Sequence, residues 1–467
     1  MKLNHHLLLL LFCTQLAFSQ SFVGYESDNF NGIHGVVVNP ANVVYQRNKA
    51  EISYSIGATM GTDLVDLGFA DVLDVFDDGF GGARLNGAAN NQNNFYANTD
   101  QLGPSFVLDL YPNSFSVAGF ARLRKISNYN NVNGNLFLGY SNGFLEEDFA
   151  IEQNNFHSAT HSWGELGLTF GHELINYLVN GNEVHMVKLG ATVKYLRGLG
   201  VELGYSENIT GIYSAAQNQL DLNGDFTYLK FGDFDAGFSN IFGQTAGSGW
   251  GFDVGGVWEY RNKSSTSPDN REEDFRALSQ YRLKLGVSVL DFGRISYELP
   301  RLETYELNGP VTPPNTANRS SPTNGLGSYL VSQPEGKLKM VLPTRLRLDL
   351  DWKIRPYLYL NLVHNMALNE KKGRPFNNNI LNSTTLTLRY EKRNFISAYL
   401  PVTLIDNGSL ELLDSGLDIG FGLNVFGFVQ IGSGDIITRL VAGEGTSINT
   451  NNLYVGVKVP IAWSWFD

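Results

Sequence analysis

The chain has 467 residues, 43% of them hydrophobic, 12% aromatic and 17% charged, with 50 glycines and a formal net charge of −12. That length suffices for a large core or for one wide barrel. The acidic balance excludes nucleic acid as the partner, because recognition of a duplex or of RNA needs a basic footprint.

The chain opens MKLNHHLLLLLFCTQLAFSQ. Lys2 precedes an apolar run from Leu7 to Phe12, and Ala17-Phe18-Ser19 has the small-x-small form of a cleavage site. This predicts a secretory signal peptide over 1–19, cut before Gln20 and outside the fold. Cys13 is the only cysteine and lies within it, so the mature chain is expected to hold no disulfide and no cysteine metal site. Phe12 ahead of Cys13 is too large for a lipoprotein cleavage box. No later run approaches the roughly 18 to 20 apolar residues of a membrane helix. The mature chain is therefore either an exported soluble β-protein or a protein that crosses a membrane as a closed barrel.

Residues 20–48 follow, with GIHGVVVNPANVVYQ at their centre. Gly24, Gly32, Gly35 and the Asn39-Pro40-Ala41 turn make a poor membrane strand, since Pro40 has no N–H to give to a ladder. Val36, Val37 and Val38 are too apolar to rest in water. The segment is predicted to be a plug or hatch in the mouth of a barrel, the alternative being an arm that faces the periplasm.

From residue 49 onward the pattern is period-two alternation, the signature of strands with two different faces. In 50–60, Ile52, Tyr54, Ile56, Ala58 and Met60 oppose Glu51, Ser53, Ser55 and Thr59. Residues 64–76 read as a short helix and 77–102 as a long polar loop. Strands are expected over 103–111, 115–126 and 133–140, with a hairpin turn at Tyr111-Pro112-Asn113-Ser114. Residues 144–153 read as a second short helix. In 163–170, Leu166, Leu168 and Phe170 oppose Glu165 and Thr169; after the Asn180-Gly181-Asn182 turn, Val187, Leu189, Ala191, Val193 and Tyr195 oppose Lys188, Thr192 and Lys194. Further strands are expected at 201–213 and 219–230. In 251–261, Phe252, Val254, Trp258 and Tyr260 oppose Asp253, Glu259 and Arg261. In 281–289, Tyr281, Leu283, Leu285, Val287 and Val289 oppose Arg282, Lys284 and Ser288. After a strand at 293–299, residues 300–340 are expected to be a long loop. In 345–352, Leu346, Leu348, Leu350 and Trp352 oppose Arg345, Arg347, Asp349 and Asp351. The remaining strands are 357–368, 383–392, 394–404, 416–433 and 452–461. The last of these, with Gly456, Val459 and Ile461 before Trp463, Trp465 and Phe466, looks like the terminal-strand signal read by barrel-assembly machinery.

A soluble sandwich would also alternate. Long charged side chains at mid-strand on one face, with Trp258, Tyr260, Tyr281 and Trp352 near strand ends on the other, instead suit a polar lumen and a lipid interface. The candidate lumen-facing residues are therefore Lys188, Lys194, Asp253, Glu259, Arg282, Lys284, Arg345, Arg347, Asp349 and Asp351. The candidate plug turn is Asn39, Pro40 and Ala41. They either neutralise one another as packing or form a filter for a solute.

Chemical signatures are weak. His157 and His161 in HSATH read as loop decoration. His172-Glu173 lacks an evident partner. DLNGDF (221–226) has Phe226 and Gly232 where a calcium loop needs Gly and Glu, and reads as a hairpin turn. GSGWGF (247–252) reads as the start of a strand. No catalytic residue, metal site or cofactor is expected, and the chain is read as not an enzyme.

The stretches NPANVVYQRNKAEIS, QLGPSFVLDL, SGWGFDVGGVWEYR, LKLGVSVLDFG, LPTRLRLDLDW and YVGVKVP, in that order, carry a resemblance. Together they look like a Bacteroidota-type family of outer-membrane barrels of unknown function, distantly similar to FadL-like and PorV-like barrels. The resemblance implies an all-β transmembrane antiparallel β-barrel of about 14 strands (12–16) with an N-terminal plug-like segment and no known reaction. The domains are then a signal peptide (1–19), a plug segment (20–48) and a barrel (49–467) in the outer membrane of a Gram-negative bacterium. Its partners would be membrane lipid, the barrel-assembly machinery and a small solute or an envelope protein. Passage or binding of a small solute is the leading role. A non-transporting scaffold for secretion, motility or surface-assembly machinery is the rival, and a barrel-borne hydrolase a distant third.

Overall fold

The structure is a computed structural model. It describes residues 22–461 except 45, 47–49, 63–90, 112–114, 145, 180–182, 235–236, 244, 263–280, 314–322, 324, 333–334, 369–377, 379, 393–394, 407–416 and 442–449. The signal peptide, the 64–76 helix, the hairpin-turn residues and the terminal tryptophans of the sequence reading lie outside the described residues.

The strands are β1 (Ala50–Thr62), β2 (Asn93–Tyr111), β3 (Phe115–Val132), β4 (Phe149–Val179), β5 (Glu183–Ser214) and β6 (Gln219–Gly232). Then come β7 (Gly247–Asn262), β8 (Tyr281–Arg301), β9 (Glu303–Val311), β10 (Leu330–Ser332), β11 (Glu335–Val341), β12 (Arg345–Arg355) and β13 (Leu358–Ala367). The chain ends with β14 (Asn382–Lys392), β15 (Ile396–Asp406), β16 (Leu417–Ile419), β17 (Phe421–Val425), β18 (Val429–Ser433) and β19 (Thr450–Ile461).

Antiparallel pairing runs β1 to β5, then β7, β8, β12 to β15, the β16–β17 pair, β18 and β19, and β19 pairs with β1 from Ala50↔Ile461 to Gly61↔Thr450. The ring closes with 14 strands, β16 and β17 being two pieces of one. Their break faces Pro401, which has no N–H and instead accepts from Gly420 N at 2.9 Å. β1 meets β2 at one register pair, Thr62↔Phe95. Five connections of two or three residues, after β2, β4, β12, β14 and β17, lie on the rim with Ala50 and Ile461; the opposite rim carries most of the long ones, although the 18-residue connection from β7 to β8 is on the first. That asymmetry is the one seen in outer-membrane barrels.

The alternation read from the sequence becomes two surfaces. Leu348, Leu350, Trp352, Leu386, Leu388, Val455 and Val457 point outward and are exposed. Arg345, Arg347, Asp351, Arg389 and Lys458, on the same strands, point inward and are buried. A water-soluble protein would not display a continuous apolar belt with its charges inside, so lipid covers the outer face. No described helix is long and apolar enough to cross a membrane; the strands do the crossing. Leu348→Arg should cost about 2–4 kcal/mol if it lies near the membrane midplane. Asp349→Asn should cost less, because Asp349 keeps Asn361 Nδ2 as a donor at 2.9 Å. The temperature at which each variant loses its heat-modifiable band in detergent gels checks this. Equal losses would refute the assignment of faces.

Several expectations fail for local reasons. Residues 133–140 are not a strand: Asn133 Oδ1 accepts from Leu136 N at 2.8 Å and starts a helix, Gly134–Asn142. The described residues of 144–153 hold no helix, and β4 begins at Phe149. HSATH lies inside β4 rather than in a loop, and DLNGDF lies inside β6 rather than at a turn. The supposed loops are partly strand, with β2 beginning at Asn93 and β9 to β11 occupying much of 300–340.

These corrections share one cause, an extension of the wall beyond the long-loop rim. Residues 183–198 of β5 pair with β7, while residues 200–214 pair with β6, which pairs in turn with β9. Ile151, Phe156, Ile209, Leu220, Leu222 and Phe226 give this extension its own core.

Candidate functional site

Residues 22–44 fill the short-turn side of the lumen, as expected of a plug. The segment is a 3-10 turn (Tyr25–Ser27), a helix (Ile33–Val38) and a second 3-10 turn (Pro40–Val43), nearly all buried. Val36, Val38 and Val43 pack on Leu102, Val107 and Ala118 of the wall, which buries the valines the sequence singled out. The helix begins at Gly32, where φ is +55° and any Cβ would overlap the Glu51 carboxylate. That carboxylate takes one of the helix's unpaired donors, Ile33 N, at 2.8 Å.

The Asn39-Pro40-Ala41 turn rests on a floor of glycines. Gly171, Gly190 and Gly255 stand side by side across β4, β5 and β7. A Cβ at Gly190 would overlap the backbone of Pro40 and Ala41, and one at Gly255 would overlap the Asn39 side chain. Asn39 Nδ2 donates to Gly256 O at 3.2 Å and Val287 O at 3.4 Å, and its Oδ1 accepts from Ala41 N at 3.0 Å. Ser288 Oγ donates to Val38 O at 2.8 Å. The turn is held by wall carbonyls that the missing side chains expose.

Elsewhere the segment is held by charge and hydrogen bonds. Arg347 Nη1 donates to Glu26 Oε1 at 2.8 Å. Asn29 Nδ2 donates to Glu391 Oε2 at 2.8 Å, and Tyr281 OH donates to Asn29 Oδ1 at 2.8 Å. Asp28 accepts from the Tyr399 hydroxyl, and Lys458 donates to Phe30 O. His34 Nε2 meets Ser55 Oγ at 2.7 Å.

Beside and beyond the plug, ion pairs pack the lumen. Lys188 Nζ lies 2.6 Å from Glu259 Oε1, whose second oxygen accepts from Arg261 Nε at 2.9 Å. Lys194 Nζ lies 2.8 Å from Asp253 Oδ2 and 2.6 Å from Asp291 Oδ1. Arg124 Nη1 lies 2.8 Å from Asp291 Oδ2 and 3.2 Å from Glu165 Oε1, and Arg122 Nε lies 2.6 Å from Asp100 Oδ1. Arg389 Nη2 lies 2.8 Å from Asp351 Oδ2, with Lys284 Nζ at 3.7 Å from the same oxygen. Above this layer Trp163, Tyr96, Ile126, Leu196, Tyr297, Ile380 and Leu381 form a buried cluster. Loop residue Asn378 is pinned over it by bonds to Ile126 O and Ala159 O at 3.0 and 2.7 Å.

Nine of the ten residues expected to face the lumen do so: Lys188, Lys194, Asp253, Glu259, Arg345, Arg347 and Asp351 are buried, Lys284 and Asp349 partly. Arg282 does not. The register shifts between Tyr260 and Arg261, so that Tyr281 turns into the lumen and Arg282 is exposed. The reading missed Arg122, Arg124, Asp291, Arg389 and Lys458. Arg122 and Arg124 stand in plain alternation and were legible; Asp291 owes its place to a bulge. Among the described residues, no group of three or more His, Cys, Asp or Glu is arranged to hold a metal, and His161 Nε2 is bonded to the Tyr297 hydroxyl at 2.8 Å.

Residues 40–430 match the model of a family of unknown function, DUF5723, and the chain belongs to that family. No curated protein matches it by sequence. Among solved structures, the Pseudomonas putida toluene transporter TodX is similar over 95% of this chain and 98% of its own, at 10% identity and a TM-score of 0.43. The Ralstonia pickettii toluene transporter TbuX is similar over 96% of this chain and 100% of its own, at 9% identity and a TM-score of 0.43. The translocator domain of the Neisseria meningitidis autotransporter NalP is similar over 88% of each chain, at 7% identity and a TM-score of 0.33.

Proposed function

We propose that this member of the DUF5723 family is an outer-membrane barrel that passes or binds a small solute, with residues 22–44 as its movable plug. The observation that carries the reading is how the plug is held. The lumen is stopped by a separate segment that no strand pairing joins to the wall: it is fixed by the packing of Val36, Val38 and Val43 and by individual hydrogen bonds and ion pairs. A barrel that served only as a wall would be filled as well by its own strands. Passage would require the plug to leave its glycine floor and the layer around Trp163 to open. Lipid surrounds the barrel, and the barrel-assembly machinery would insert it after removal of the signal peptide.

The mature chain has no cysteine of its own, so the plug can be locked. Asn39→Cys with Gly255→Cys sets two thiols where the Asn39 side chain now fills the place of a Gly255 Cβ. Single-channel recordings in potassium chloride should show openings in the reduced protein and none in the oxidised one, with recovery on reduction. Openings that persist after oxidation, or their absence in both states, would refute the reading.

The scaffold reading has one observation in its favour, the sheet extension of β4, β5, β6 and β9 beyond the rim. Affinity purification from native membranes tests it: a stoichiometric envelope protein that is lost when 201–230 is replaced by a tight hairpin would support it.

A further inference from the structure

Among the described residues, most buried cations of the lumen touch a carboxylate. Arg122, Arg124, Lys188, Lys194, Arg347 and Arg389 each lie within 4.0 Å of a carboxylate. Arg345, on β12 at 9% exposure, has neither a carboxylate within that distance nor a hydrogen bond among the described residues. Asp291, the acid of its neighbourhood, already serves Arg124 and Lys194.

Arg345 borders a cavity of about 30 Å³ between the plug and Ile380 and Leu381. Val23 and Glu26 close it on the plug side, Ile380 and Leu381 on the loop side. Arg124 and Arg347 also line it, and Arg124 Nε, Arg345 Nε and Arg347 Nε are buried without an acceptor among the described residues. The Ser383, Thr385 and Thr403 hydroxyls complete the wall. Its one carboxylate is Glu26, which is engaged by Arg347.

We propose that this cavity is a binding site for a small carboxylate monoanion, gripped by Arg345. A buried guanidinium without a counter-charge is strongly disfavoured, and a planar carboxylate matches its forked donors two at a time. Arg345 is the one of these cations that no carboxylate contacts, and an anion in the cavity would supply that contact. Space for about two water-sized groups admits a carboxylate of formate size and excludes an acyl chain. Donors dominate the lining, so a cation is repelled. The site needs no displacement of the plug and does not depend on whether solute passes.

The test uses the full mature barrel in detergent and ¹³C-labelled formate, with chloride-free buffer at constant ionic strength. Saturable broadening of the formate resonance is expected in the native protein. It should weaken at least tenfold in Arg345→Met, and partly in Arg345→Lys, which keeps the charge without the fork. Ser383→Leu fills the cavity and leaves every charge in place, so it should abolish binding even if Arg345→Met fails to fold. Heat-modifiable migration identifies the folded variants. No saturable broadening in the native protein, or undiminished broadening in Arg345→Met or Ser383→Leu, would overturn the proposal.

Discussion

Asp291→Asn should destabilise the barrel by about 3–5 kcal/mol, as expected when one partner of a buried charge pair is removed and the other is left uncompensated. Asp291 is the bulge residue where the β7–β8 register shifts between Phe252 and Val254. Its φ of +59° turns the carboxylate inward, and its amide donates to Asp253 Oδ1 at 2.7 Å. Two cations depend on it, Arg124 at 2.8 Å and Lys194 at 2.6 Å. Asparagine tolerates the left-handed backbone nearly as well as aspartate, so this substitution separates loss of charge from loss of conformation. Denaturant titration of the folded band reads the change. A loss no greater than the ~0.5 kcal/mol common at exposed positions would refute the hub assignment.

Gly190→Val is expected to unseat the plug. Its Cβ would enter the backbone of Pro40 and Ala41, which cannot rotate aside as a flexible side chain can. Overpacking of this kind costs about 1–3 kcal/mol, and the cheapest relief is for the turn to lift off the floor. Residues 22–44 should then become cleavable by added protease while the barrel stays intact. Gly256→Ala, one residue along from Gly255 but on the outer face, meets only the Leu189 side chain at 3.1 Å and the Lys188 carbonyl at 3.8 Å. It should leave the segment protected. Cleavage of both variants, or of neither, would count against the floor.

The barrel was legible because its two surroundings differ so much. Lipid on one side and packed charge on the other force a two-residue period that Leu346-Arg347-Leu348-Asp349 cannot conceal. The extension was legible only in part: strands were expected at 201–213 and 219–230, where β5 and β6 lie, but β9 to β11 were read as loop and DLNGDF as a turn. Helix 134–142 was missed since its signal, an Asn at the cap, is one residue long. Arg282 was misplaced by a bulge, which turns Tyr281 into the lumen while Lys284 and Ser288 keep their expected face, and which leaves no mark in the sequence. The plug was foreseen from Pro40 and the valines, yet its seat depends on Gly171, Gly190 and Gly255. These lie on three different strands, and only the folded register sets them in a row.

The last strand has a bearing on how such a molecule is made. β19 pairs with β1 along its length, from Ile461 to Thr450, and shuts the cylinder. The same strand reaches inward, where Lys458 donates to Phe30 O and to the Tyr25 hydroxyl, and the Tyr454 hydroxyl donates to Val23 O at 3.1 Å. The strand that closes the ring therefore also grips Val23, Tyr25 and Phe30 of the plug. The segment, tethered directly to β1 and bonded to Glu51 and Ser55 on it, is thus held by both edges of the seam at once. Sealing the seam therefore also completes the plug's seat, because Lys458 and Tyr454 reach Phe30, Tyr25 and Val23 only from the strand that closes the ring.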